Sequence, residues 1–254
     1  MNVNTTPNIS LNVPSQLTPG NVTDFEDKLS SVLRNCQENI AMDCSALEFV
    51  TSSHINLLWA AHLQCADDGI TMYLQSPTAG LIRVLKVLDL YDVFEYTNEG
   101  TFAVTSNEKP VFDNSLRPSY RDHIPADRES IDKALIDFMN FLSGGGLPEL
   151  TEFELRTIFY EVTTNIRLHS GISEKDRMEF TVKVGDRRII LEFIDSGMPF
   201  DITSQNLELE PRLAGQRRQK RGIGLNMVHK LADRVSYTRQ DNSRNIVAIE
   251  KHWE

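Results

Sequence analysis

Few folds are open to residues 178–193. Met178, Phe180, Val182 and Val184 alternate strictly with Glu179, Thr181 and Lys183, and Gly185-Asp186 then offers a turn before Ile189, Leu191 and Phe193. Successive side chains of a strand point to opposite faces, so this pattern predicts a hairpin with one buried face. The preceding segment carries the helical period instead. Thr151 and Glu154 have capping-box spacing, and Leu155, Ile158, Phe159, Val162 and Ile166 fall along one stripe.

Around this nucleus the same half of the chain supplies three more elements and a connecting segment. Ile131, Leu135, Met139 and Leu142 keep a helical rhythm that ends at Ser143-Gly144-Gly145-Gly146, before Pro148. The triple glycine lacks the Lys-Ser/Thr of a phosphate loop and reads as a helix-to-helix connection. A long polar segment, 203–220, precedes Gly222-Ile223-Gly224, a helix through Leu231, and strand-like runs at 235–238 and 246–249. The expected order is helix, helix, hairpin, lid, helix, hairpin.

The first half alternates short apolar runs with helical patterns, which predicts a mixed α/β domain. A strand at 9–13, a helix at about 22–33 and a strand ending near Asp43 are followed by a helix from about Ser53 to before Asp68-Gly69. A strand at 70–74 comes next, and then a helix opening near Pro77, with Leu81, Leu85 and Leu88 on its apolar face. Between about 99 and 118 the periodicity lapses into Asn, Ser, Lys and proline, as in a linker. A length of 254 residues suits two domains.

Composition narrows the function classes. At 40% hydrophobic and 24% charged residues the chain is an ordinary folded one. No run approaches the length of a membrane-spanning helix, and the N-terminus lacks the features of a signal peptide, so a cytoplasmic protein is expected. A net charge of −10 argues against nucleic acid as a partner. Cys36, Cys44 and Cys65 have neither metal-ligand nor disulfide spacing and are expected to be reduced, partly buried thiols.

Three short patterns carry candidate chemistry. Glu161, Asn165 and His169, four residues apart, line up beside the apolar stripe, either as the wall of a cleft or as solvated residues. Asp195 closes a strand ahead of Ser196-Gly197, where a carboxylate can accept a hydrogen bond from an exocyclic amine; the bland reading is a turn. Gly222-x-Gly224 at a helix start lets backbone N–H groups approach phosphate oxygens, aided by the helix dipole. Each is weak alone.

Together, Glu161-x-x-x-Asn165, Asp195-x-Gly197 and Gly222-x-Gly224 resemble the N, G1 and G2 boxes of GHKL ATPases, over about residues 118–254. RDHIPADRES and DSGMPFD resemble most closely the anti-sigma-factor serine kinases. Sensor histidine kinases fit less well, because none of His54, His62 or His123 begins a His-Glu/Asp-x-x-Pro pattern. The resemblance implies ATP and Mg²⁺ as cofactors. It makes Asp195 the adenine contact, Asn165 the Mg²⁺ ligand and Glu161 the general base, and it includes Gly197, Gly222 and Gly224 in the nucleotide site, with His169 structural. One of Arg212, Arg217, Arg218, Lys220 and Arg221, in the lid, would reach the terminal phosphate; Arg221 adjoins the G2 box, and a solvated basic loop is the alternative. Met198-Pro199 stands where a second G1 glycine is usual, which stiffens the start of the lid.

The stretch from Asp43 to Ser53, DCSALEFVTSS, and the downstream SPTAGLIRVLKVLDLYDVFE resemble STAS domains of the anti-sigma-factor antagonist class, over about residues 7–97. The resemblance makes Ser52 the phosphoacceptor, although Thr51 replaces the usual Asp and His54 the usual Gly; Ser52 and Ser53 also read as helix caps. The expected architecture is therefore α/β (α+β): a STAS domain at 1–102 with a mixed sheet and flanking helices, a linker at 103–117, and a GHKL (Bergerat) α/β sandwich at 118–254. The resemblance implies a partner-switching regulator of transcription, in which a serine kinase phosphorylates a STAS serine and controls a sigma factor or similar target. Its partners would be that target, STAS or kinase domains and a second copy of the chain. The alternative is a non-enzymatic interaction module with ATP as a structural ligand. A GHKL clamp driven by hydrolysis would need a transducer domain for which this chain is too short.

Overall fold

The computed structural model describes residues 9–35, 39–98, 100, 117–204, 222–240 and 243–253. The chain divides into two compact units, the first formed by Met1–Phe102 and Glu208–Ile223, the second by Ala103–Leu207 and Gly224–Glu254. The expected linker at 103–117 lies almost wholly outside the described residues.

In the first unit β1 (Ile9–Asn12), α1 (Pro19–Asn35), β2 (Ile40–Asp43), α2 (Ser52–Asp67), β3 (Met72–Gln75), α3 (Ala79–Val87) and β4 (Glu95–Thr97) follow in order, with a single 3₁₀ turn at Tyr91–Val93. The strands lie in the order β1-β2-β3-β4, and every described pairing is parallel. The α/β architecture is as expected, although an antiparallel member of a mixed sheet is not among the described residues. Parallel sheets need cover on both faces. Accordingly Ile40, Ala41 and Met42 of the central β2 are all buried, as are Ile55, Leu58 and Leu85 of the helices.

The second unit runs β5 (Arg117–Pro125), α4 (Arg128–Ser143), α5 (Glu149–His169), β6 (Arg177–Gly185), β7 (Arg188–Asp195), α6 (Ile223–Leu231), β8 (Arg234–Gln240) and β9 (Arg244–His252). Its sheet is antiparallel, in the order β5-β6-β7-β9-β8. The hairpin read from the alternation is β6–β7, although Gly185 still pairs with Arg188 and the turn itself is Asp186-Arg187, with Arg187 at φ 51°. Phe180 and Phe193 of that hairpin meet at 4.9 Å between ring centroids, and Phe138 of α4 and Phe159 of α5 close on Phe180 at 5.2 and 4.9 Å. Edge-to-face packing of Phe138 and Phe159 on Phe180, within a cluster of four fully buried rings, fixes both helices on one face of the sheet.

Two sequence expectations need correction. Helix α5 opens at Glu149 behind Pro148, so Thr151 and Glu154 lie inside it and form no capping box. Glu154 is buried because it pairs with Lys251 of β9, Oε2 to Nζ at 2.6 Å. Strand β5 was not anticipated either; in RPSYRDHIP the charges interrupt any apolar alternation, and pairing with β6 supplies what the sequence pattern lacks. Among the described residues no helix is long and apolar enough to cross a membrane.

Candidate functional site

Between α5, the end of β7, α6 and β9 lies a pocket of about 350 Å³, including the space open to solvent. Its walls are apolar, from Val162, Ile166, Phe200, Ile202, Leu225 and Val247, with polar groups from Asn165, Ser170, Asp195 and Asn245. A few placed polar groups in an apolar cleft are what orient a small ligand.

Asp195 is the last residue of β7 and is 4% exposed. Its Oδ1 accepts from the Gly197 N–H at 2.7 Å and from Asn245 Nδ2 at 2.9 Å. Gly197 has no room for a side chain: a Cβ there would come within 2.4 Å of the Ser170 carbonyl oxygen and 2.8 Å of Asp195 Oδ1. The Met198 N–H donates to that same carbonyl at 2.6 Å, so the turn after β7 is fastened to the end of α5.

The helical line on α5 is split by the structure. Asn165 lines the pocket, and its Nδ2 is buried without a hydrogen-bond partner among the described residues. Such an orphaned amide is costly unless a ligand completes it. Glu161, one turn earlier, is 4% exposed and does not line the pocket. His169 is exposed at the end of the helix, its ring centroid 5.8 Å from that of Phe200. Thus Asn165 and Asp195 share one cavity, Gly197 shapes it, and Glu161 is buried outside its lining.

Gly222, ahead of α6, and Gly224, in its first turn, adjoin the pocket through that helix. Gly222 has φ 123°, a region that side chains disfavour, and α6 starts at the next residue and contributes Leu225 to the wall. Arg221 and the other basic residues of the expected lid, Arg212, Arg217, Arg218 and Lys220, lie outside the described residues.

Sequence reasoning missed Asn245, Ser170, Phe200 and Ile202. Asn245, between Arg244 and the apolar run 246–249 at the start of β9, carries no signal of its own. The other three carry no signal until α5 and β7 are docked.

In the first unit Ser52 is the first residue of α2, behind Thr51 as N-cap. His54 is 2% exposed and completes a capping box: its Nδ1 accepts from the Thr51 N–H at 3.1 Å and meets Thr51 Oγ1 at 2.8 Å. The other ring nitrogen, Nε2, lies 3.2 Å from the Pro14 carbonyl oxygen. An acceptor Nδ1 requires the neutral tautomer with the proton on Nε2, which then donates to Pro14. Burial holds His54 below the ordinary histidine range, against the raising effect of its backbone partners Pro14 and Ser15. Cys44 and Cys65 are free and fully buried, and burial pushes their thiols up to about 12 and about 11. They are inert packing residues; Cys36 is outside the described residues.

An antiparallel sheet backed by helices, with a carboxylate at a strand end and a glycine-led helix around one pocket, defines a nucleotide-binding class of protein. Residues 124–251 match the histidine kinase-like ATPase domain, and residues 1–108 match the STAS domain. The chain therefore belongs to the histidine kinase-like ATPase family and carries a STAS domain ahead of it. An ATPase domain implies ATP as its ligand.

Among curated proteins none matches this chain. Solved structures similar to it include the SiaB-SiaC complex from Pseudomonas aeruginosa, at TM-score 0.41 and 12% identity over 53% of this chain and 89% of that one. The RsbU and RsbW domains of Rv1364c from Mycobacterium tuberculosis give TM-score 0.39 and 9% identity, over 54% of this chain and 32% of that one. The histidine kinase domain of the blue-light activated histidine kinase EL346 from Erythrobacter litoralis gives 0.36 and 13%, over 92% and 94%.

Proposed function

We propose that the chain is a partner-switching regulator whose second unit, holding Mg-ATP, phosphorylates a STAS serine. The serine is its own Ser52 or that of a separate protein, and the transfer controls a sigma factor or comparable regulatory target in the cytoplasm. The observation that carries this reading is the meeting of Asn165, Asp195 and the first turn of α6 around one pocket, in a chain that also holds a STAS unit.

On this reading Asp195 accepts the adenine amine, while Ile166, Leu225 and Val247 pack on the base. The N–H groups at the start of α6 face the phosphates. The residues present fit Mg²⁺: the amide oxygen of Asn165, in the pocket, suits an ion that keeps its waters and leans on phosphate oxygens. The Asn165 carboxamide would be that ligand, and its buried nitrogen has no hydrogen-bond partner among the described residues. When bound, the ion neutralises charge on the transferred group. Glu161 takes the proton of the serine hydroxyl as the Oγ–P bond forms and the bond from phosphorus to ADP breaks.

A phosphate on Ser52 would sit at the positive end of α2 while adding nearly two negative charges to the surrounding surface, which weakens docking there. Joining the two units on one chain supplies an effective concentration of about millimolar for a short flexible linker, favouring capture of Ser52 within the chain. A second copy of the chain is the alternative acceptor.

The competing reading is a non-enzymatic module in which ATP is a structural ligand. It is favoured by the His54 capping box beside Ser52 and by the position of Glu161 off the pocket wall. Incubation with Mg-ATP followed by intact-mass and peptide mass spectrometry separates the two. The kinase reading expects one phosphate on Ser52, or on an added STAS protein, absent in Glu161→Ala, with Ser52→Ala removing only the first. Nucleotide binding without phosphate on either substrate leaves the structural-ligand reading.

A further inference from the structure

Asp195, Asn245 and Arg239 are direct cross-strand partners on β7, β9 and β8, so the three side chains form one row across the sheet at the edge of the pocket. Asn245 is the middle member and is 2% exposed. Its Nδ2 donates to Asp195 Oδ1 at 2.9 Å and to the carbonyl oxygens of Gly197 at 3.3 Å and Met198 at 3.1 Å. Its Oδ1 accepts from Arg239 Nη1 at 2.6 Å and from Tyr237 Oη at 2.8 Å.

A carboxamide can be turned over, and only its partners decide which end is which. Turned over here, the Asn245 oxygen would face a carboxylate and two carbonyls, none of which can donate, and its NH₂ would face a guanidinium, which cannot accept. The Tyr237 hydroxyl tolerates either orientation. Arg239 on one side and the three acceptors on the other therefore hold Asn245 in one direction; Arg239 is the charged donor of that set, and its Nη1 also donates to the Gly197 carbonyl at 3.2 Å. The consequence falls on Asp195. Its Oδ1 is occupied by Asn245 and the Gly197 N–H, whereas its Oδ2 accepts no hydrogen bond among the described residues.

We propose that Arg239, acting through Asn245, is a positioning residue for base selection: it holds Asp195 so that one carboxylate oxygen stays available to the exocyclic amine of a 6-aminopurine nucleotide. The inference rests on the reading that Asp195 meets that amine. It commits the pocket to 6-aminopurines over 6-oxopurines, whose carbonyl oxygen would meet a carboxylate.

The test compares ATP with purine riboside triphosphate, which lacks only the amine, by titration calorimetry on the full chain. Wild-type protein is expected to favour ATP by about tenfold or more, the worth of a hydrogen bond to a charged acceptor. In Arg239→Met this preference shrinks to within about threefold, mainly through weaker ATP binding. Arg239→Lys restores it, because a single ammonium can serve both acceptors that Nη1 serves. A loss of affinity by the same factor for both nucleotides, or an undiminished preference in Arg239→Met, overturns the role of Arg239. Equal binding of the two nucleotides by wild-type protein instead overturns the reading of Asp195, and this inference with it. Should Arg239→Met not fold, Asn245→Leu carries the comparison with the same expected and overturning results.

Discussion

A methyl group at Gly197 would strike the Ser170 carbonyl oxygen, Ser170 Cβ and Asp195 Oδ1 together, and the first is backbone at the C-cap of α5 that cannot swing away. Gly197→Ala is therefore expected to separate the β7 turn from α5 and to lower ATP affinity by about tenfold or more, measured by titration calorimetry. Glu154 and Lys251 raise a different question at the same scale, since both are buried and bonded to each other, and Lys251 Nζ also donates to the Leu231 carbonyl at 2.8 Å. Lys251→Met strands a buried carboxylate and is expected to cost about 3–5 kcal/mol in urea unfolding, whereas Glu154→Leu with Lys251→Met recovers much of that loss. Neither effect was legible beforehand. Gly197 could be recognised as part of a motif, but Glu154 was read as a capping residue because a sequence does not display the lysine 97 positions downstream that buries it.

At the scale of elements, the start of α2 departs most from its family pattern. His54 takes the place of a glutamate or glutamine at the third position of a capping box, and it joins the helix to the Pro14 carbonyl after β1. Burial favours its neutral form, so the folded chain binds a proton there less readily than the unfolded one. The stabilisation is fully present above the unfolded histidine value of about 6.5 and is lost as pH falls below it toward the depressed folded value. His62, also lowered by burial, acts with the same sign. Urea midpoints of the first unit are accordingly expected to drop between pH 7.5 and pH 5. The drop is expected to be smaller in His54→Gln, since glutamine can accept from Thr51 and donate to Pro14 without titrating. On α5 the apolar stripe was legible from its period, and the polar line beside it was legible as a line. That Asn165 lines the pocket while Glu161 does not depends on how the helix is rotated against β7, which the contact of Phe159 with Phe193 helps to fix.

Across the whole molecule, two units each bury their own core, so ligand binding in one stabilises chiefly that one. Mg-ATP at about a hundred times its Kd is expected to stabilise the second unit by about 2.7 kcal/mol. Hydrogen exchange should show the protection around Asn165, Asp195 and Gly222–Gly224 and little change across β1 to β4. Equal protection throughout both units would contradict a site built within the second unit alone.

Two α/β units, the β6–β7 hairpin, the helices α1 to α6 and the two glycine-marked patterns were all determined by the sequence, because periodicity, capping and turn chemistry act over a few residues at a time. Tertiary structure alone decided the capture of β5 by β6, the burial of Glu154 by Lys251 and the row from Asp195 through Asn245 to Arg239. Each joins residues far apart in the chain, whose meeting is paid for by the packing of the whole sheet and leaves no local trace in the residues themselves.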